Sequence, residues 1–270
     1  MESWREILPG YEIVRWDERR FDVNSVPWVR EAVERRKYAF AADYIRHYAL
    51  YHEGGIYLDT DVEVLKPFDD LLDAEMFAAI ETEESVLARN VAEGRISETG
   101  EVLTDGLFPD MGLGLQSGAF GVAAGHPFTR RCLDWYESRR FVCEDGTLYD
   151  KIIAPDIMAY HARPAGLKYK DVAQELDEGI RIHPSPTIAA YAEKAAPESY
   201  AIHHCLGSWR PAAPRRKKRW YSRWWKSTMR GLGLHKYERG LGICPEPPLQ
   251  KRLSHPGAEP GRTPGTTRCP

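Results

Sequence analysis

Two aspartates at the end of a short apolar segment are the residues whose types and spacing best suit chemistry. Gly54 to Asp61 reads Gly-Gly-Ile-Tyr-Leu-Asp-Thr-Asp, an apolar strand that leaves a glycine turn and ends in Asp59 and Asp61. Because side chains two residues apart in a strand project to the same face, both carboxylates can bind one cation while Thr60 points away. Carboxylates suit Mn²⁺ or Mg²⁺, which keep coordination positions open for substrate phosphates. The pattern indicates a metal site for a diphosphate-bearing ligand, with a calcium loop or a solvated turn as the alternatives.

The segment before this strand carries a second charged pair. Apolar residues recur every three or four positions over residues 39–52, which predicts a helix with one face on a core. Asp43 and Arg46 lie one turn apart on that helix. An ordinary ion pair explains the two residues in isolation. Their nearness to Asp59 in the sequence favours groups that bind ribose hydroxyls and phosphate oxygens.

The segment from His203 to Trp209 supplies nitrogen ligands after another predicted strand. It reads His-His-Cys-Leu-Gly-Ser-Trp. Adjacent histidines are more often structural than metal-binding. A divalent ion at the aspartate pair still needs further ligands, however, and Gly207 permits a close approach of the backbone. A histidine of this segment is therefore a candidate ligand.

Composition describes an ordinary globular chain. The 270 residues are 43% hydrophobic with a formal net charge of −3 and a pI near 6.3, which gives no overall bias toward nucleic acid. The five cysteines are scattered and contain no Cys-x-x-Cys pair, so neither a zinc site nor a disulfide framework is indicated. No segment reaches the roughly 18 consecutive apolar residues of a membrane-spanning helix. We therefore expect a cytoplasmic location.

The C-terminal part differs in composition from the rest. Residues 210–230 are rich in Lys and Arg, lack acidic residues and interleave tryptophans with the cations. This combination favours an anionic membrane surface and peripheral attachment to the inner face of the plasma membrane. The alternatives are a solvated tail whose tryptophans pack on their own domain and, less favoured, nucleic-acid binding by charge and stacking. Residues 245–270 are rich in Pro, Gly, Ser and Thr, which predicts disorder. We expect a domain over residues 1–209, a basic segment over 210–244 and this tail.

Strands and helices alternate along the predicted domain. Hydrophobic periodicity predicts strands over residues 11–16, 56–58, 180–183 and 200–203 and helices over 25–36, 39–52, 127–139 and 157–161. Residues 81–110 are polar, interrupted by glycines and poorly periodic, which predicts a long loop or lid. The alternation favours an α/β sandwich with a largely parallel sheet and ligands at the carboxyl ends of its strands.

Taken together, the motifs resemble the Asp-x-Asp sugar-binding region of the family 32 glycosyltransferases, which include yeast initiating mannosyltransferases and bacterial capsular polysaccharide enzymes. The resemblance covers residues 4–209 and is carried by Ala41-Ala-Asp-Tyr-Ile-Arg46, Tyr51-His-Glu-Gly-Gly-Ile-Tyr-Leu-Asp-Thr-Asp-Val-Glu-Val-Leu65, Gly125-His-Pro-Phe128 and Ala201-Ile-His-His-Cys-Leu-Gly-Ser-Trp209. The glucosyltransferase domains of the large clostridial toxins share a similar core, which keeps protein glucosylation as an alternative.

The resemblance implies a GT-A-like nucleotide-sugar-binding sandwich and a metal-dependent enzyme of polysaccharide or capsule biosynthesis. The enzyme would use Mn²⁺ or Mg²⁺ to move a hexose from a UDP- or GDP-sugar to a glycan or lipid-linked acceptor, with retention of anomeric configuration. The residues implied to act are Asp43 and Arg46 for the donor, Asp59 and Asp61 for the metal and the catalytic step, His204 for the metal, and Ser208 and Trp209 for the diphosphate. Family members usually begin with an apolar strand beside the nucleotide base. This sequence starts after that strand, which implies an incomplete base pocket or a start assigned too late.

Two other functions stay open at this point. Phosphatases of the haloacid dehalogenase type also use an apolar strand that ends in Asp-x-Asp, with the first Asp as nucleophile. They need an acidic pair at the end of a later strand, whereas Asp69 and Asp70 open a helix. A non-catalytic nucleotide-sugar binder is the other possibility. Gln116, Ser117 and Asp150 are candidates for contacts to the acceptor or the reacting face of the sugar, although an ordinary exposed position explains each equally well.

Overall fold

The computed structural model of the protein describes residues 2–207 and 249–251. The chain divides into two units, one formed by Met1–Cys205 with Pro247–Pro270 and the other by Leu206–Glu246. Of the second unit, only residues 206 and 207 are described. The basic segment predicted over residues 210–244 therefore lies outside the described residues, and the predicted domain boundaries stay predictions.

The described part of the chain combines α-helices with β-strands, as the sequence predicts. Its helices are α1 (Glu2–Ile7), α2 (Pro27–Glu34), α3 (Tyr38–Glu53), α4 (Glu84–Ala92), α5 (Pro127–Glu137) and α6 (Ala154–Ala162). Its strands are β1 (Val14–Arg15), β2 (Gly55–Leu58), β3 (Val62–Val64), β4 (Met76–Thr82), β5 (Leu113–Leu115), β6 (Ala119–Val122), β7 (Gln174–Glu175), β8 (Ile180–His183), β9 (Ile188–Ala190), β10 (Ala201–His203) and β11 (Leu249–Lys251).

The strands form two sheets. The larger sheet has the order β1-β11-β2-β6-β4-β8-β7, with β5 pairing with β4, and the smaller one has the order β3-β10-β9. Among the described strands, only β4 with β8 and β9 with β10 run parallel, and the other pairs are antiparallel. The prediction of a mostly parallel sheet is therefore wrong. Alternating strands and helices give parallel neighbours only when each helix connects two adjacent strands, whereas here β6 inserts between β2 and β4 and pairs antiparallel with both.

The larger sheet has a hydrophobic core on each face. Along β4, the side chains of Met76, Ala78 and Ile80 belong to one buried cluster, and those of Phe77 and Ala79 belong to another. This alternation is the period of two of an extended chain, and both faces of β4 are apolar because both are covered. Residues of α3, α5 and α6 contribute to the first cluster, and residues of α1, β3 and β10 contribute to the second. β2 is covered in the same way, because Tyr57 belongs to the first cluster and Ile56 and Leu58 belong to the second.

Residues 81–110 contain a helix that the sequence analysis missed. The predicted long loop is interrupted by α4, whose Leu87 and Val91 are four residues apart and pack against the first core cluster. Two apolar residues four positions apart form only a narrow apolar face on a helix. Among the surrounding polar residues, this periodicity was too weak to predict a helix.

The segment predicted to be a disordered tail contains β11. Leu249–Lys251 pairs antiparallel with β1 on one side and with β2 on the other, so that Leu249 lies opposite Leu58. For these three residues the structure differs from the prediction of disorder, and the rest of residues 245–270 lies outside the described part. A strand between two others forms its hydrogen bonds through the backbone, so composition does not reveal it.

Candidate metal centre

Three oxygen- and nitrogen-bearing side chains converge where β2 and β10 end. Among the described residues, Asp59, Asp61 and His203 each offer a ligand atom, and these atoms lie within 4.8 Å of one another. The Nε2 atom of His203 lies 3.3 Å from the Asp61 carboxylate and 3.7 Å from the Asp59 carboxylate. The two carboxylates thus lie close together, but through a turn at residues 60 and 61, in which the Val62 N–H donates to the Asp59 carbonyl oxygen at 3.0 Å, and not through the extended strand that the sequence analysis expected. Two carboxylates and an imidazole form a donor set that fits a divalent cation.

Strand register brings the histidine to the aspartates. β10 pairs antiparallel with β3, and His203 lies opposite Val62, the residue that directly follows Asp61. The backbone N–H of His204 donates to the Asp61 carbonyl oxygen at 3.1 Å. This pairing joins two segments that are far apart in the sequence, and it fixes the imidazole beside the carboxylates.

The histidine at the aspartates is His203, whereas the sequence analysis chose His204. The Nε2 atom of His204 instead lies 3.0 Å from the Glu63 carboxylate. Because successive side chains of an extended segment project to opposite faces, only one of two adjacent histidines can reach a given site. The spacing to Gly207 carried no information about that choice.

Negative charge around His203 changes its protonation. Burial opposes the charged imidazolium, but the Asp61 carboxylate, the Cys205 sulfur and the Asp59 carboxylate outweigh burial and raise the pKa of His203 to about 11. The two carboxylates therefore favour positive charge at this point, which either a protonated His203 or a divalent cation can supply.

Arg46 is the centre of a buried network behind the aspartates. Its side chain is 4% exposed, and its guanidinium lies 2.8 Å from the Asp43 carboxylate and 3.7 Å from the Asp59 carboxylate. It also donates to the carbonyl oxygens of Ser117 at 2.6 Å and Ala42 at 3.3 Å. Burial raises the pKa of Asp43 to about 6 although Arg46 lowers it, with Asp59 adding a smaller upward effect. The two residues predicted from the helix therefore do lie beside Asp59.

Tyr57 is a site residue that the sequence analysis missed. Its hydroxyl group donates to Asp59 Oδ1 at 2.6 Å, and the Arg46 guanidinium lies over its ring, 4.6 Å from the ring centre. Its position two residues before Asp59 was the available signal, because that spacing puts both side chains on the same face of the strand.

The remaining predicted residues fall in different places. Gln116 and Ser117 lie at the site, where the Gln116 side chain contacts His203 and the Ser117 carbonyl oxygen accepts from Arg46. Asp150 pairs with Lys37 at 3.7 Å instead. Ser208 and Trp209 lie outside the described residues.

Comparison with known proteins identifies the segment that carries the aspartates. Residues 1–78 match the family model described as the glycosyltransferase sugar-binding region containing the DXD motif. This part of the chain is therefore similar to a glycosyltransferase sugar-binding region. The predicted resemblance is thus confirmed for residues 1–78, which contain Asp43 and Arg46 of α3 and both aspartates of the metal centre. It favours a glycosyltransferase over a phosphatase.

One curated relative matches a segment of similar length. The chain is 36% identical over 75 residues to the inositol phosphoceramide mannosyltransferase 3 of Schizosaccharomyces pombe, which covers 26% of this chain and 21% of the relative. The chain therefore spans about a fifth of the length of the relative it matches. No solved structure matches the chain.

None of the described helices combines the length and the apolar character needed to cross a membrane.

Proposed function

We propose that the protein is a metal-dependent glycosyltransferase with a GT-A-like sandwich. It would transfer a hexose from a UDP- or GDP-sugar to a glycan or lipid-linked acceptor, with retention of configuration. The observation that carries the proposal is the convergence of Asp59, Asp61 and His203 within 4.8 Å, with both aspartates inside the matched sugar-binding region. The mannosyltransferase relative supports a hexose as the transferred group.

Mn²⁺ or Mg²⁺ held by Asp59, Asp61 and His203 would supply Lewis-acid stabilisation of the departing diphosphate. Arg46 has its guanidinium donors directed to Asp43, Ser117 and Ala42. We therefore assign it the task of holding the carboxylates of Asp43 and Asp59 in place, with the Asp43 carboxylate available to a sugar hydroxyl. In the reaction, the bond from sugar C1 to the phosphate oxygen breaks and a bond to the acceptor oxygen forms. The nucleoside diphosphate leaves with the bonding electron pair, and the hydroxyl proton of the acceptor passes to its freed phosphate oxygen.

The remaining parts of the proposal extend to the acceptor and the location. Ser208 and Trp209 are proposed to cover the diphosphate. The basic segment over residues 210–244 is proposed to place the enzyme at an anionic membrane surface, where a lipid-linked acceptor of polysaccharide synthesis would be found. The polar, glycine-rich stretch after α4 is a candidate cover for the acceptor side.

The test is an assay of the whole protein with Mn²⁺ or Mg²⁺ and a panel of UDP- and GDP-sugars. We expect metal-dependent release of UDP or GDP from one donor, and Asp61→Asn is expected to lower that rate by at least about 100-fold. Thr60→Ala is the matched control, because Thr60 is exposed between the two aspartates and should leave the rate nearly unchanged. Equal rates in wild type and Asp61→Asn would contradict the proposal. Hydrolysis of a generic phosphoester in place of the sugar-nucleotides would favour the phosphatase.

A further inference from the structure

The loop between β5 and β6 touches both kinds of ligand at the candidate metal centre. Gln116 in this loop is fully buried, and its Oε1 atom lies 2.8 Å from Nδ1 of His203. Two residues later, the Gly118 carbonyl oxygen accepts the backbone N–H of Asp59 at 2.7 Å. One short loop thus contacts the imidazole through a side chain and an aspartate through the backbone.

A backbone donor fixes the orientation of the Gln116 amide. The N–H of Gly118 donates to the same side-chain atom of Gln116 at 3.1 Å. Because a backbone N–H can only donate, the facing atom must be the amide oxygen and cannot be the amide nitrogen. His203 Nδ1 faces an acceptor and therefore carries a hydrogen. When the ring is neutral, the lone pair is then on Nε2, the atom that faces Asp59 and Asp61.

The ring is also confined by the shape of the loop. A Cβ atom at position 118 would lie 2.6 Å from His203 Nδ1 and 2.7 Å from its Cε1 atom. The imidazole therefore packs directly on the Gly118 backbone, with the Gln116 oxygen at its edge. These two contacts set both the position of the ring and the nitrogen that is free to bind a metal.

We propose that Gln116 is a positioning residue that holds His203 in the Nδ1–H tautomer and aims its Nε2 lone pair at a metal ion. This inference rests on the proposed function, since it concerns the same metal centre. Metal-binding histidines commonly donate their second ring N–H to such a partner, and loss of the partner typically costs about 10–100-fold in metal affinity.

The test measures binding of Mn²⁺ alone to the whole protein by calorimetry, without a sugar donor. Gln116→Met keeps a side chain of similar size but removes the amide oxygen, and we expect affinity to fall about 10–100-fold. Gln116→Glu retains an acceptor and should keep at least most of the wild-type affinity. Thermal unfolding of each variant checks that the fold is intact.

A double-mutant cycle separates positioning from a general structural effect. If Gln116 acts through His203, then Gln116→Met should cause no further loss in a His203→Ala background. An equal loss in both backgrounds, or no loss in the wild-type background, would overturn the positioning role. If the wild-type protein binds no Mn²⁺, both this inference and the proposed function fail. If Asp61→Asn abolishes binding while Gln116→Met leaves it unchanged, only this inference fails.

Discussion

The candidate site is built from two parts that differ in origin. The continuous part is one stretch of the chain in which α3 is followed at once by β2, and it supplies Asp43, Arg46, Tyr57 and Asp59. The distant part consists of the loop over residues 116–118 and His203, which come from segments far along the chain. It meets the continuous part through strand pairing and through the hydrogen bond from Arg46 to the Ser117 carbonyl oxygen. The first part is therefore close together as soon as the helix and strand form. The second part depends on the register of two sheets.

Arg46 is the contact that joins the two parts. Its guanidinium binds Asp43 in the continuous stretch and the Ser117 carbonyl oxygen in the distant loop. Replacing it by alanine would leave Asp43 buried without its cation, which typically costs about 3–5 kcal/mol. We expect this loss of unfolding free energy in Arg46→Ala, measured by urea denaturation, together with weaker Mn²⁺ binding.

Arg181→Ala is the matched control. Arg181 also pairs with two acidic residues, Asp73 and Glu175, but these lie at the surface. Such pairs typically contribute less than about 1 kcal/mol each. If both arginine variants lose the same free energy, the joining role of Arg46 is wrong.

Gly118→Ala would disturb the distant part alone. The added Cβ atom would lie 2.6 Å from His203 Nδ1, so the ring or the loop has to shift from its present position. We expect Mn²⁺ affinity to fall by about tenfold or more, with the contacts between Arg46 and Asp43 kept. At Gly10 an added Cβ meets no atom within 4 Å, and Gly10→Ala should bind Mn²⁺ like wild type.

The same division explains what the sequence could and could not predict. Asp43 and Arg46 could be predicted because helical periodicity determines which neighbours share a face. Asp59 and Asp61 could be predicted as a pair from their place after an apolar strand, although a turn at residues 60 and 61 brings their carboxylates together. Which histidine faces the aspartates, His203 or His204, depends on the register of β10 on β3. That register is set by pairing between segments far apart in the sequence. Sheet direction and β11 were missed for the same reason, since backbone hydrogen bonds between distant strands leave little trace in local sequence.

Tyr57→Phe would disturb only the continuous part. It removes the hydroxyl group that donates to Asp59 at 2.6 Å, and Asp59 keeps its contact with Arg46. Loss of one hydrogen bond typically costs about 1 kcal/mol, so we expect Mn²⁺ affinity to fall about fivefold. Tyr200→Phe is the control, because its hydroxyl donates at 3.3 Å to the exposed Asp70. A larger loss in the control would contradict the assignment of Tyr57 to the site.

His47 tests whether position in the continuous stretch is enough to make a residue part of the site. It directly follows Arg46, yet its ring is fully buried against Phe120 and Phe128. Neither ring nitrogen has a hydrogen-bond partner among the described residues. Burial, with the Arg46 charge and His161 adding to it, lowers the pKa of His47 well below its usual value. The ring therefore stays neutral in the folded protein and belongs to the core.

The lowered pKa of His47 in the folded protein makes the free energy of unfolding depend on pH. Below about pH 6.5 the unfolded chain takes up a proton at His47 that the folded protein does not bind, so stability falls as the pH falls, by about 1.4 kcal/mol per pH unit. His47→Leu removes this contribution. We expect the variant to gain stability relative to wild type between pH 6.5 and 5.5, with a constant difference above pH 7.5, when both are measured by urea denaturation. Mn²⁺ affinity at pH 7.5 should be unchanged, and a large loss of binding there would place His47 in the site after all.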